Sequence, residues 1–377
     1  MKLIQKLNIM KTSRLYTMFA LLMMVVGTMQ AQQVKVEVSE TIELMSIMAR
    51  TAGYREYHMD MAGQYTEETE AWFAPFESHP AVAYMQSLEP KYGIGYDAVA
   101  SMSLHTETDG KTVRLIDSTT LEKRWKNVNL DTCLMYINQF YTDTRFHEFY
   151  VKHQDFYEEG LQAYRNNVMQ YFHQDWYSHF YGMAPEETFT VIIGFTNGGC
   201  NYGLSRQFPS QKKEVFAICG YYLDKEMGKA FEKGELWTST LIHEFNHSFV
   251  NPCLDDEANK TVLLPIGEDL YVLTKNLMNW QAYKNATTVL NESIVRAAVI
   301  IYMEENGFTD NQVEDEMYDQ LGRGFQWMPD LVIALKNYIQ HRDIYPTFND
   351  FYPEIAKTLG TYVDNEHQRI DAALRKQ

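Results

Sequence analysis

Thr240-Leu241-Ile242-His243-Glu244-Phe245-Asn246-His247-Ser248-Phe249 is the stretch from which the rest of the chain is read. Two histidines stand four apart, with a glutamate directly after the first. On an α-helix, positions i and i+4 share a face, so both imidazoles can point at one metal ion. Glu244 is turned about 100° from His243 by the helical repeat of about 3.6 residues per turn. It stands beside the pair, where a general base for an attacking water belongs. The flanks are apolar or small and uncharged, as a buried helix requires, and no proline falls within 235–251. Pro252 marks the expected helix end near Asn251-Pro252. The competing reading is a pair of ordinary histidines on a core or surface helix, since HExxH is short and recurs by chance.

Upstream, residues 188–195 (TFTVIIGF) are β-branched and aromatic, the composition of a buried strand. Residues 196–203 form a glycine-rich loop that lacks both GxxxxGK[ST] and GxGxxG spacing, which excludes a phosphate cradle of either kind. Residues 214–223 (EVFAICGYYL) read as a second strand, and 224–234 lead into the helix. Strands that precede a metal-binding helix are the order a zincin needs. An edge strand there holds an extended peptide by backbone pairing. The glycine loop is a candidate cleft rim, because glycine lets a substrate backbone approach closely; a plain hairpin connection is the alternative. Downstream, 254–262 read as an acidic surface loop. Helices then follow at 267–283, 287–306, 311–342 and from 352 to the C-terminus.

Two histidines do not complete a catalytic zinc site, which takes three protein ligands and leaves one position open. Glu292 is the best third candidate. It lies on the second helix after the motif, within an apolar stretch (Val289, Leu290, Ile294, Val295, Ala297 onward) that should be buried. A buried carboxylate needs a partner. Arg296, four residues on, could be that partner. Alternatively Glu292 faces the metal and Arg296 orients a substrate group. Cys253 is a rival ligand by position, although Val250 and Pro252 do not suit the turn it would need. Asp255, Asp256 and Glu257 read as solvated loop acids.

The N-terminus reads as an export signal. Lys2, Lys6, Lys11 and Arg14 precede an apolar run over 16–29, and Ala31 closes a cleavage site that leaves Gln32 first. The run is too short to span a bilayer, which takes about 20 residues. No cysteine stands at the cleavage point, so a lipoprotein is not expected, and no later stretch reads as a membrane span. The formal charge of −17 becomes more negative once this basic segment is removed, which disfavours nucleic-acid binding. Aromatics make up 14% of the chain, including 26 tyrosines, and packing is their simplest use. The four cysteines are too few for a disulfide scaffold, though Cys200 and Cys219 flank neighbouring strands and could pair.

Between the leader and the strands, 33–38 read as a short strand. Ser39 caps a helix to Arg50, with Gly53 as its stop. Residues 55–105 read as broken helices, with His79-Pro80 opening one. Residues 106–120 read as a hairpin or loop, and 121–181 as aromatic-rich helices. His147, His153, His173 and His179 lack the i,i+4 spacing and read as polar positions on amphipathic helices.

The HExxH core with a glutamate on a later helix resembles the gluzincin group of zinc metallopeptidases. More closely, the chain resembles a family of exported bacterial proteins carrying a domain of unknown function. It shares with that family the Asn-Gly-Gly-x-Asn-Tyr-Gly loop, the HEFNH core and the Glu-x-x-x-Arg-Ala helix, over about 186–305. The resemblance implies His243, His247 and Glu292 as Zn2+ ligands and Glu244 as catalytic base. Many gluzincins carry an acid four residues after the ligand glutamate; here Arg296 stands there. Tyr202 is the candidate oxyanion donor and Arg296 the second, with Tyr221, Tyr222 and Tyr302 open. The expected architecture is α+β and mainly helical. A leader (1–31) and a helical N-terminal region (32–185) precede a zincin-like domain (186–377) of short sheet, active-site helix and following helices. The expected activity is hydrolysis of a peptide or protein substrate outside the cytosol, in the periplasm or secreted. The alternative is a non-catalytic secreted binding protein for a glycan or protein, with a structural or vestigial metal site.

Overall fold

The β-branched runs at 188–194 and 214–220 form the two central strands of a small sheet, on which the helices are arranged. The computed structural model describes residues 34–59, 61–182, 187–224 and 226–375. The leader at 1–31, the start at Gln32 and the boundary at 185–186 lie outside these residues. The chain runs β1 (Lys35–Glu37), α1 (Glu40–Thr51), α2 (Gln64–Phe73), α3 (Pro80–Tyr92), α4 (Asp97–Leu104), β2 (Thr106–Thr108) and β3 (Val113–Leu115). Next come α5 (Leu130–Asp143), α6 (Phe146–Lys152), α7 (Gln154–Asn167), α8 (Asp175–Tyr181), β4 (Thr188–Gly194), β5 (Tyr202–Arg206) and β6 (Glu214–Gly220). A small pair, β7 (Leu223–Asp224) and β8 (Lys229–Ala230), leads to α9 (Gly234–Asp255) and α10 (Glu257–Trp280). The chain then closes with α11 (Ala286–Glu305), α12 (Asp310–Gly322), α13 (Met328–Gln340) and α14 (Tyr352–Leu374). The fold is α+β and mainly helical, with a small mixed sheet, as expected.

The sheet order is β1-β4-β6-β5, with β4 and β6 parallel and β5 antiparallel on β6. Residues 202 and 203, expected in the glycine loop, belong instead to β5. Glycine and serine give this segment little strand propensity of its own, so pairing with β6 makes it a strand. Paired residues share a face. Tyr202, Ile192, Phe216 and Ile218 therefore point together, into a core completed by Ile42 of α1 and by Ala100 and Leu104 of α4. Gly203 and its partner Ala217 face the other way, toward α9. A Cβ on Gly203 would lie 2.0 Å from the Glu244 carbonyl oxygen, so only glycine lets β5 lie this close to the HExxH helix.

α9 is longer than expected. Pro252 sits inside it, and the helix continues to Asp255. Proline frees the carbonyl four residues back; that group, Ser248 O, instead accepts from Lys213 Nζ at 3.3 Å. Residues 254–262 are not a loop either: Asp256 caps α10 by accepting from the Ala258 and Asn259 amides. The 311–342 helix is two helices, divided where Gly324 takes φ +103. Phe245 and Phe249 of α9 pack among Tyr177, Tyr181 and Phe189, which gives the aromatic content its packing role.

α11 is long and apolar enough to cross a membrane, contrary to the expectation that no later stretch would be; most of it is buried within the protein. All four cysteines are free. Cys200 and Cys219 turn to different neighbours, Cys200 Sγ toward Glu56 O and Cys219 Sγ toward Tyr164 OH, so the considered pair does not form. His147 meets Glu40 and His153 meets Glu68, as polar helix positions do.

Glu43 of α1 is fully buried. It accepts from the Phe195 amide at 2.7 Å, from Thr196 Oγ1 at 3.0 Å and from Tyr65 OH at 3.0 Å, which pins the start of the glycine loop. Burial, only partly offset by these hydrogen bonds, pushes its carboxyl up to about 7. A carboxyl raised on folding stabilises fully below its unfolded value and loses that contribution as pH rises through the folded value. Between about pH 4.5 and pH 8, wild type should lose up to about 3 kcal/mol of stability relative to Glu43→Gln. Denaturant unfolding across that range measures it, and a pH-independent difference would contradict it. Gly203→Ala should cost about 1–3 kcal/mol by overpacking against the Glu244 backbone, read from the shift in unfolding midpoint; an unchanged midpoint would remove the contact from the argument.

Candidate metal centre

α9 carries His243 and His247 one turn apart, with ring planes at 83° and Nε2 atoms 3.2 Å from each other. α11 packs across α9, where Asn246 Nδ2 donates to the Val295 carbonyl, and brings Glu292 to the same point. Glu292 Oε2 lies 3.5 Å from His243 Nε2, and Oε1 lies 3.5 Å from His247 Nε2. Ligands at 2.0–2.1 Å from a tetrahedral zinc stand about 3.3–3.4 Å apart. The three separations therefore fit one small divalent cation, and two imidazoles with one carboxylate are a donor set that zinc takes. Glu244 also has a carboxylate oxygen within 4.8 Å of donor atoms of His243 and His247.

His247 Nδ1 lies 3.1 Å from Asn251 Oδ1. With Nδ1–H donated there, the Nε2 lone pair is left for a cation. Sequence reading missed Asn251, although its i+4 spacing from His247 was visible. Burial drives the His243 imidazole to its neutral form, well below its usual range. Burial would lower His247 too, but Glu292 outweighs it and raises this imidazole to about 9, a proton that cation binding would release. Burial would raise Glu292, but Arg296 and the histidines hold it well below the carboxylate range.

Glu292 pairs with Arg296, the first of the two readings. Its Oε2 accepts from Arg296 Nε at 3.1 Å and Nη2 at 2.9 Å, while the carboxylate still faces both histidines. Arg296 is thus engaged with Glu292 and is not a free donor for a substrate. Tyr283 OH also donates to Glu292 Oε2, at 2.9 Å. Tyr283 was missed; it lies just past the end of α10, in a turn with no motif.

Glu244 stands beside the cluster, 7% exposed, and burial pushes its carboxyl up to about 7 against the pull of His247 and a hydrogen bond from the Gly203 amide. With His243 and Thr240 it lines a cleft of about 480 Å³ whose far wall is α12, with Glu316 and Gln320. Asn201 of the glycine loop reaches the rim.

Tyr202 is not an oxyanion donor here. Strand alternation turns its ring to the face of the sheet opposite α9, into the core with Ile42 and Leu104. Of the other tyrosines, Tyr221 stacks on Phe195, Tyr222 packs on Trp237, and Tyr302 donates to the Tyr171 carbonyl. Cys253 is no third ligand: its thiol donates to Phe249 O within α9. Asp256 is a helix cap and Glu257 pairs with Lys260.

Comparison finds no match among curated proteins and none among solved structures. The family described as a domain of unknown function, DUF4932, matches residues 34–358, beyond the 186–305 from which a resemblance was read. With most of its length matched, this chain belongs to the DUF4932 family.

Proposed function

We propose that this chain is an exported zinc-dependent peptidase of gluzincin type. The observation that carries the reading is the meeting of His243 Nε2, His247 Nε2 and the Glu292 carboxylate at 3.2–3.5 Å, beside a cleft that His243 and Glu244 line. Zinc held by those three residues would polarise a scissile carbonyl and make water more acidic. Glu244 takes the proton from the attacking water and delivers it to the leaving amine. Its buried position beside the histidines suits that shuttle. Terminal strand β5 offers a backbone edge along which an extended peptide can pair. Tyr283 and Arg296 act on the ligand, because their donors are turned to Glu292. The export part of the proposal rests on the basic and apolar leader at 1–31.

Elemental analysis of the purified protein should find about one zinc per chain in wild type and a clear loss in Glu292→Ala. Equal zinc in both would move the third ligand elsewhere. No zinc in wild type after reloading would favour the non-catalytic binding protein. Glu244→Gln should keep its zinc and lose about 100-fold or more of peptide hydrolysis. A Glu244→Gln protein as active as wild type would remove Glu244 as the base.

A further inference from the structure

A carbonyl attacked by water gains negative charge on its oxygen, and a donor fixed in advance lowers the cost of that charge. Tyr202 lies in the core and Arg296 is tied to Glu292, so neither can serve. Other donors that line the cleft are also engaged. Ser239 Oγ donates to the Leu236 carbonyl at 2.9 Å, and Tyr283 OH to Glu292 Oε2 at 2.9 Å. Gln320 Nε2 donates to Glu316 Oε1 and Arg323 Nε to Asp319 Oδ2, both at 2.6 Å.

Asn201 differs from these. It stands just ahead of β5, two residues before Gly203, which lies against the Glu244 backbone. The other end of β5 runs toward Ser248: Arg206 pairs with Glu214, next to Lys213, whose Nζ reaches Ser248 O. Two extended residues span about 6–7 Å, so Asn201 falls on the side of Gly203 away from Ser248, beside the turn of α9 that carries Thr240 and His243. It lines the same cleft as Thr240, His243 and Glu244.

The orientation of its amide is fixed. Asn201 Oδ1 accepts from the Gly220 backbone amide at 2.9 Å. A backbone N–H can only donate, so the atom it meets is the oxygen and the other is the NH2. Nδ2 makes no hydrogen bond among the described residues, and it is not sealed from solvent. The anchor belongs to β6, an interior strand of the sheet, so this donor is held before any substrate arrives. The Thr240 hydroxyl, which rotates about its own bond, offers no such fixed direction.

We infer that Asn201 Nδ2 is the donor that meets the oxyanion when water adds to a scissile carbonyl in this cleft. The inference rests on the peptidase reading above. As water adds to the carbonyl carbon, its proton passes to Glu244 and the carbonyl electron pair moves onto oxygen, where the amide N–H receives it. One residue of the glycine loop then has two tasks: its oxygen ties the loop to β6, and its nitrogen serves the reaction.

The two tasks are separable by substitution. Asn201→Asp keeps an acceptor for the Gly220 amide and replaces only the NH2, whereas Asn201→Ala removes both. Both variants should retain zinc by elemental analysis. Both should lose about 100-fold in kcat, with KM little changed, on the best-cleaved peptide of a quenched-fluorescence library. A phosphinic analogue of that peptide, whose tetrahedral P–O⁻ stands in for the oxyanion, should bind both at least about 10-fold more weakly than wild type. Thermal unfolding checks that each is folded, and Asn201→Asp alone carries the test if Asn201→Ala is not. A purely structural role would leave Asn201→Asp like wild type and impair Asn201→Ala; that result overturns the inference. So does a raised KM at unchanged kcat. In both cases a zinc-loaded, peptide-cleaving wild type leaves the peptidase reading standing. A wild type without zinc, or one that holds zinc and cleaves no peptide of the library, overturns both.

Discussion

One buried carboxylate sets the terms for the C-terminal part of the molecule. Glu292 lies among Val289, Leu290, Ser293, Ile294 and Val295 on a helix that is otherwise almost wholly core. An ionised carboxylate in that setting is stable only if fully paired. α11 must therefore bring Glu292 to Arg296 and Tyr283 on one side and to the histidines of α9 on the other. The approach of α11 to α9 at this point and the place of α12 behind Arg296 both serve that requirement.

The sheet meets α9 under a second constraint, one of distance. β5 lies against the Glu244 backbone at a separation that admits no side chain on residue 203. At the other end of the contact, Lys213 takes the carbonyl that Pro252 frees, which lets α9 run a turn longer than a proline rule would allow. Asn251, the residue before that proline, stays within the helix and orients His247. The irregular features of this region thus hold the helix and one of its imidazoles in place.

How much was legible in the sequence follows from the range of the forces involved. Local signals were reliable: Ser39 caps α1, His79-Pro80 opens α3, and the i,i+4 histidines share a face. Glu292 was found by a burial argument that needs no contact map, since a charge in an apolar helix calls for partners. The local signals at Pro252, Asp256 and Gly324 misled, and the other failures depended on pairing between distant segments. Tyr202 was assigned to a loop, but pairing with Ile218 fixes it in a strand and so decides which face its ring takes. A shift of one residue would have reversed that outcome. Tyr283 and Gln320 carry no motif and become part of the site only when α10 and α12 fold against α11.

The charge balance also bears on the kind of metal site proposed. Glu292 is already neutralised by Arg296, and burial keeps His243 neutral. With the proton on His247 also beside Glu292, the crossing of α9 and α11 leaves no negative ligand charge that a cation must cancel for the chain to fold. In a structural zinc site the ligands converge because the metal holds them, and binding energy is folding energy. Here hydrogen bonds from Asn251, Tyr283 and Arg296 hold the ligands in place. A cluster braced by its own hydrogen bonds, beside an open cleft that His243 lines, is suited to an exchangeable cation. On the proposed reading, bracing of this kind suits a catalytic cation better than an architectural one.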